Sequence, residues 1–135
     1  MASESRDFPT IMLIDDDEVV NMIHRVLLQQ VLPDAQILEF TEGKAALNWL
    51  ARTEPAQWPN YIFLDLNMPV MNGWQLLDEY IKLPHRSPLY VVTSSIDPRE
   101  KRKAQEMDCV VDFISKPLTL ECLDDMFNLG RSSAH

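Results

Sequence analysis

Asp15, Asp16 and Asp17 stand in a row directly after the apolar run 11–14, and a further carboxylate, Asp65, directly follows the apolar run 61–64. Thr93 and Ser94 follow a third run, 89–92, and Lys116 with Pro117 comes just past a fourth, 110–114. Each piece is ordinary by itself; together they make a set of carboxylates, two hydroxyls and an ammonium group. Carboxylates crowded into one place resist ionising unless a cation intervenes. Mg²⁺ suits them, because it takes six oxygen ligands, keeps several waters and uses one or two carboxylates. A carboxylate beside such a cation can attack a phosphoryl donor and become an acyl phosphate. That chemistry is mostly positioning and charge neutralisation, for which a lysine and a hydroxyl are adequate.

For these residues to meet, the runs must end along one edge of a single sheet. Five runs, 11–14, 37–40, 61–64, 89–92 and 110–114, are short, rich in β-branched or aromatic residues, and read as strands. Between them apolar residues recur at helical spacing. Ile23, Val26, Leu27 and Val31 form one stripe, and Ala46, Trp49 and Leu50 another within 42–52. Leu77, Tyr80 and Ile81 repeat the pattern, as do Leu123, Met126 and Phe127. Thr41, Asn72, Asp97 and Thr119 stand where helix caps are wanted, and Pro98 takes the first position of a fourth helix over about 98–107.

Strand and helix thus alternate five times, the pattern of a parallel sheet with helices on both faces. The runs 37–40 and 110–114 each carry an acid, Glu39 and Asp112, which suits edge strands; the other three carry no charge. The order 2-1-3-4-5 places the acid-bearing strands at the edges. The reading is therefore an α/β, doubly wound five-stranded parallel sheet, a flavodoxin-like (βα)5 fold. In that order the sheet reverses between strands one and three, and ligands bind outside the carboxyl ends there. The acids at 15–17 and Asp65 would converge at that point.

Composition sets the outer bounds. A chain of 135 residues suits one domain, and 46% hydrophobic with 24% charged residues is ordinary for a globular protein. The net charge of −9 argues against direct binding to nucleic acid. No apolar run reaches 18 residues and the first eight are polar, so neither membrane insertion nor a secretory leader is expected, and the location is expected to be cytoplasmic. Cys109 and Cys122 are isolated and read as free thiols. The basic stretch 99–103, interrupted by Glu100, reads as a solvated helix face. His24 and His85 read as surface or helix-face residues, and Trp49, Trp58 and Trp74 as packing residues. The stretch 53–60 is the longest loop candidate, and the tail 130–135 is expected to fray.

The segments Ile14-Asp15-Asp16-Asp17-Glu18, Leu64-Asp65-Leu66-Asn67-Met68-Pro69-Val70-Met71-Asn72-Gly73, Val92-Thr93-Ser94 and Ser115-Lys116-Pro117 together resemble the receiver domains of two-component response regulators. The likeness runs over about 10–129. It implies that Asp65 is the phosphoacceptor, that Asp16 binds Mg²⁺ directly and Asp15 mainly through water, and that Asn67 offers its backbone carbonyl to the metal, for which Mn²⁺ could substitute. It further implies that Thr93, with Ser94 beside it, and Lys116 bind phosphoryl oxygens, that Thr93 and Phe113 form the switch, and that Pro117 follows a cis peptide bond.

The resemblance also implies partners: a histidine kinase or histidine phosphotransfer protein as donor, and a downstream protein that reads the face of helix four, strand five and helix five. It implies a bacterial phosphoprotein acting as adaptor, shuttle or sink in a phosphorelay, a single domain over 1–135 with no output domain, and no turnover beyond its own phosphorylation and dephosphorylation. Helix four, with only Ala104 and Met107 beneath many charges, is expected to shift when Thr93 moves. Two departures from the family pattern stand out: Asp108-Cys109 where many relatives have glycine, and Asn72 where an acid is frequent. A rival reading, a small aspartyl-phosphate phosphatase, needs a second acid two residues after the first; that position is Asn67. A second rival is a receiver-like domain that binds partners by shape without being phosphorylated; such domains usually lack one of the central residues, and all are present here.

Overall fold

Each apolar run becomes a strand of one parallel sheet ordered β2-β1-β3-β4-β5 in the computed structural model, which describes residues 9–94 and 97–127. In chain order the elements are β1 (Thr10–Ile14), α1 (Glu18–Val31), β2 (Gln36–Phe40), α2 (Gly43–Arg52), β3 (Tyr61–Leu64), α3 (Gly73–Tyr80), β4 (Leu89–Thr93), α4 (Pro98–Gln105), β5 (Val110–Ser115) and α5 (Leu120–Met126). The fold class and strand order are those read from the sequence. Glu39 and Asp112 are exposed on the two edge strands. The loop expected at 53–60 contains a short 3-10 turn, Pro55–Gln57. The stretch 1–8 and the tail 130–135 lie outside the described residues.

Alternate strand residues feed two cores, because successive side chains point to opposite faces of a sheet. Met12, Ile14, Ile62, Leu64, Leu89 and Val91 pack under α2, α3 and Ala104 of α4. Ile11, Leu13, Phe63, Val92 and Ile114 pack under α1 and α5. Both faces are covered, which is why the central strands read as unbroken apolar runs.

The helices depart from the sequence reading in instructive ways. In α1 the buried residues are Asn21, His24, Leu28 and Val31. Of the expected stripe, Ile23 and Val26 are exposed and Leu27 is half-buried. His24, read as a surface or helix-face residue, lies on the inward face of α1 and is 4% exposed. Ile81 likewise lies outside, at the end of α3, whereas Leu77 and Tyr80 are buried. Trp49, Met126 and Phe127 are only half-buried, and Leu47 takes the inward place beside Ala46 and Leu50. Thr41 is not a cap: Glu42 holds that position and makes no side-chain capping bond. The other three caps bond as expected, Asn72 to the Gln75 N–H, Asp97 to the Arg99 N–H and Thr119 to the Cys122 N–H. Helix α4 ends at Gln105, two residues earlier than expected, where the backbone turns to lead into β5. Asp108 and Cys109 make that turn without a left-handed residue, since among the described residues other than glycine only Val70 has positive φ.

Candidate functional site

Strand register decides which side chains meet. Ile14 pairs with Leu64, and the ladder continues one step further as the Asp65 N–H donates to the Ile14 carbonyl at 2.9 Å. Asp15 and Asp65 therefore leave β1 and β3 side by side. On the other flank Thr93 pairs with Ser115, and the Lys116 N–H donates to the Thr93 carbonyl at 2.9 Å. Lys116 thus starts next to Thr93 and reaches back over the sheet. The peptide between Lys116 and Pro117 is cis.

Three carboxylates converge here. Oxygens of Asp15, Asp16 and Asp65 all lie within 4.8 Å of one another. Asp15 and Asp65 are 4% and 5% exposed, and Asp16 is exposed. Lys116 Nζ donates to Asp15 Oδ2 at 2.5 Å and lies 3.6 Å from Asp65 Oδ1. The Asp17 N–H donates to Asp15 Oδ1 at 2.9 Å, and the Asn67 N–H to Asp65 Oδ1 at a longer 3.3 Å. Asp17 turns away to cap α1, accepting from Val19 and Val20. Burial pushes the Asp65 carboxyl up to about 6; Lys116 opposes this, Asp15 raises it further, the Asn67 N–H opposes it and Asp16 adds a smaller upward push. Two carboxylates with a single ammonium between them, and a third at the rim, form a site short of positive charge.

The remaining expected residues ring this cluster. Thr93 is completely buried, and Asn67 Nδ2 reaches its Oγ1 at 3.4 Å. Ser94 is exposed beside it. Phe113 is half-buried on β5 and packs against the α2–α3 core. The loop carrying Asn67 is pinned at its far end by the reciprocal bonds between Asn72 and Gln75 that open α3. Gly73 makes that pinning possible: a Cβ there would lie 2.7 Å from Leu66 Cα and 2.8 Å from the Asp65 carbonyl. Between the two ends Val70 projects fully into solvent at φ 66°, a left-handed conformation costly for a β-branched residue. A cleft of about 380 Å³ opens beside the acids between Val70, Met71, Asp16, Glu18 and Lys44. A larger hollow of about 580 Å³ lies away from them, between β5 and α5.

Asn21 and His24 were not anticipated. Both sit on the inward face of α1 directly behind Asp15. Asn21 Nδ2 donates to the carbonyls of Asp15 and Phe40, at 3.0 and 3.3 Å. Burial holds the His24 imidazole below its ordinary range, with Asp15 opposing and Lys116 assisting. The spacing 21, 24, 28, 31 is itself helical, but two polar residues in it disguise the buried face.

The donor set fits a small hard cation: carboxylate oxygens close together, with the Asn67 backbone nearby and no sulfur or imidazole in the cluster. Comparison with known proteins agrees with the geometry. Residues 11–128 match the family described as the response regulator receiver domain. Among curated relatives, Stress response regulator protein 1 of Meyerozyma guilliermondii is 32% identical over 104 residues, which span 76% of this chain and 45% of that protein. Response regulator Rcp1 of Synechocystis is 30% identical over 100 residues, 70% of this chain and 68% of its own. A two-component response regulator from Cytophaga hutchinsonii superposes with a TM-score of 0.79 at 34% identity, covering 89% of this chain and 94% of that one. A receiver domain of a signal transduction histidine kinase from Syntrophus aciditrophicus shares the fold at 24% identity and a TM-score of 0.72, covering 93% of this chain and 92% of its own.

Proposed function

The chain belongs to the response-regulator receiver domain family, and we propose that it takes a phosphoryl group onto Asp65 from a histidine kinase or histidine phosphotransfer protein. The observation that carries this is the convergence of Asp15, Asp16 and Asp65 within 4.8 Å, with the Lys116 ammonium paired to Asp15 and Asp65. An Asp65 carboxylate oxygen attacks phosphorus, the new O–P bond forms, and the bond from phosphorus to the donor imidazole breaks, returning the electron pair to nitrogen. Asp65 must be ionised to attack, and Lys116 favours that form.

Asp15, Asp16, Asp65 and the Asn67 carbonyl would hold Mg²⁺, which when bound neutralises the carboxylates and the incoming phosphoryl oxygens. Lys116 is placed to move from Asp15 to a phosphoryl oxygen, and the Thr93 hydroxyl, with Ser94 next to it, to bond another. Burial of Thr93 means that such a bond requires the end of β4 to shift, and Phe113 and α4 would follow. Helix α4 suits this role because Ala104 is its only buried residue and its outer face is charged. The face of α4, β5 and α5 would then be read by a protein partner.

The donor must reach Asp65 over the rim where α1 begins. Helix α1 exposes Val19, Met22, Ile23 and Val26, one continuous apolar stripe suited to a protein surface. No helix among the described residues is long and apolar enough to cross a membrane, and we place this exchange in the cytoplasm. The test is intact mass after incubation with acetyl phosphate and Mg²⁺. One added phosphoryl group is expected in the wild type, and none after chelation or in Asp65→Asn. A gain that persists in Asp65→Asn contradicts the assignment.

A further inference from the structure

Behind the carboxylates, on the α1 side of the sheet, lies a void of about 10 Å³ lined by Asp15, Asp65, Asn21 and His24, with Phe63 and Val92 among its apolar walls. That is room for one water molecule, and a void of this size holds one only where polar groups can bind it. Asn21 is 1% exposed, and both hydrogen bonds from its Nδ2 go to backbone carbonyls. Those bonds fix the amide, because the flipped form would set its oxygen against two carbonyl oxygens. Its Oδ1 is left buried and without a partner among the described residues, a costly state for an acceptor. One turn on, His24 is 4% exposed and makes no hydrogen bond with the described residues.

We propose that Asn21 and His24 bind one water in this void, and that the water braces Asp15 from behind. The hydrogen bonds balance. A His24 N–H donates to the water, and the water donates one hydrogen to Asn21 Oδ1 and the other to the Asp15 carboxylate, three bonds in all. This rests on the reading of the acidic cluster as a Mg²⁺ site. Outer partners of that kind orient the ligands they touch, and losing one typically weakens metal binding roughly 10- to 100-fold. The brace matters most when Lys116 leaves Asp15 for the phosphoryl group, since among the described residues the Asp17 N–H is then the remaining protein donor to the Asp15 carboxylate. Asn21 and His24 are positioning residues in this account; neither touches the phosphoryl group.

The test is calorimetric titration of Mg²⁺ into the full chain without any phosphodonor, for wild type, His24→Leu and His24→Gln, each checked by its thermal melt. His24→Leu is expected to bind Mg²⁺ about 10-fold more weakly. His24→Gln keeps a donor and an acceptor and should recover most of that loss. If His24→Leu does not fold, His24→Met against His24→Gln makes the same comparison. Folded apolar variants that bind Mg²⁺ as tightly as wild type overturn the proposal. A wild type that binds no Mg²⁺ overturns the site reading itself and this inference with it. High-resolution electron density should show an ordered water within hydrogen-bond distance of Asn21 Oδ1; an unpaired Oδ1 there also overturns it.

Discussion

Asp65 sits within 3.6 Å of the Lys116 ammonium, yet burial and two neighbouring carboxylates still push its carboxyl up to about 6 from an ordinary 3.8. The folded value lies above the unfolded one, so the native state binds more protons through that window and loses stability as pH rises from about 4 to 6. A shift of about two units corresponds to roughly 3 kcal/mol. Metal-free Asp65→Asn should therefore be more stable than wild type at pH 7 by on the order of 2–3 kcal/mol, with the gap closing on acidification below about 4. Denaturant melts across this range check it; parallel profiles for the two proteins would remove the argument. Mg²⁺ affinity should fall as pH is lowered through about 6, as protons compete for Asp65. The residues of this cluster were legible in the sequence because each closes a strand, and strand ends in such a sheet share one edge. Asn21 and His24 were not, because nothing in their own types marks a buried position behind a charged site.

At the scale of elements, the loop from β3 to α3 stores its constraints at two points. Gly73→Ala would drive a methyl into the Leu66 backbone and the Asp65 carbonyl, and should cost roughly 2–4 kcal/mol and weaken Mg²⁺ binding as Asp65 is displaced. Val70→Gly removes a left-handed β-branched residue whose side chain is fully exposed, and should raise stability by about 1 kcal/mol. Thermal melts of both variants test this; a destabilised Val70→Gly would mean that the valine side chain has contacts worth more than its strain. Helix α1 is where sequence pattern misled. Its exposed apolar residues 19, 22, 23 and 26 repeat with helical period just as its buried residues do, so the expected stripe straddled the two: Val31 is buried and Leu27 packs against the core, while Ile23 and Val26 are exposed. Ile23→Glu should change stability by less than about 0.5 kcal/mol, whereas Leu28→Ala should cost about 2–5 kcal/mol. Ile23→Glu should also slow phosphotransfer from a cognate kinase while leaving the reaction with acetyl phosphate unchanged. Equal slowing of both would move the effect from docking to the site.

For the whole molecule, two packed cores cover both faces of the sheet, and α4 contributes one buried alanine to them. The rest of its hold is at the surface: Asp97 caps its start, and Lys103 lies 4.4 Å over the Trp74 ring. A helix so thinly anchored is the element that a change at Thr93 can displace at small cost. Amide exchange in α4 should differ between the free protein and a Mg²⁺–beryllium fluoride phosphoryl mimic, with little change in α1 or α3. Identical exchange in α4 would separate phosphorylation from the proposed output face. The strand order, by contrast, was readable from the sequence, since charge appears only in the two strands that have an open edge.

The acceptor itself can be identified by trapping. Reduction of the phosphorylated protein with borohydride converts an aspartyl phosphate to homoserine, and peptide sequencing by mass spectrometry locates it. Homoserine is expected at position 65 alone, dependent on Mg²⁺ during phosphorylation. Homoserine at position 15 or 16, or a phosphorylated protein with none at position 65, would contradict it.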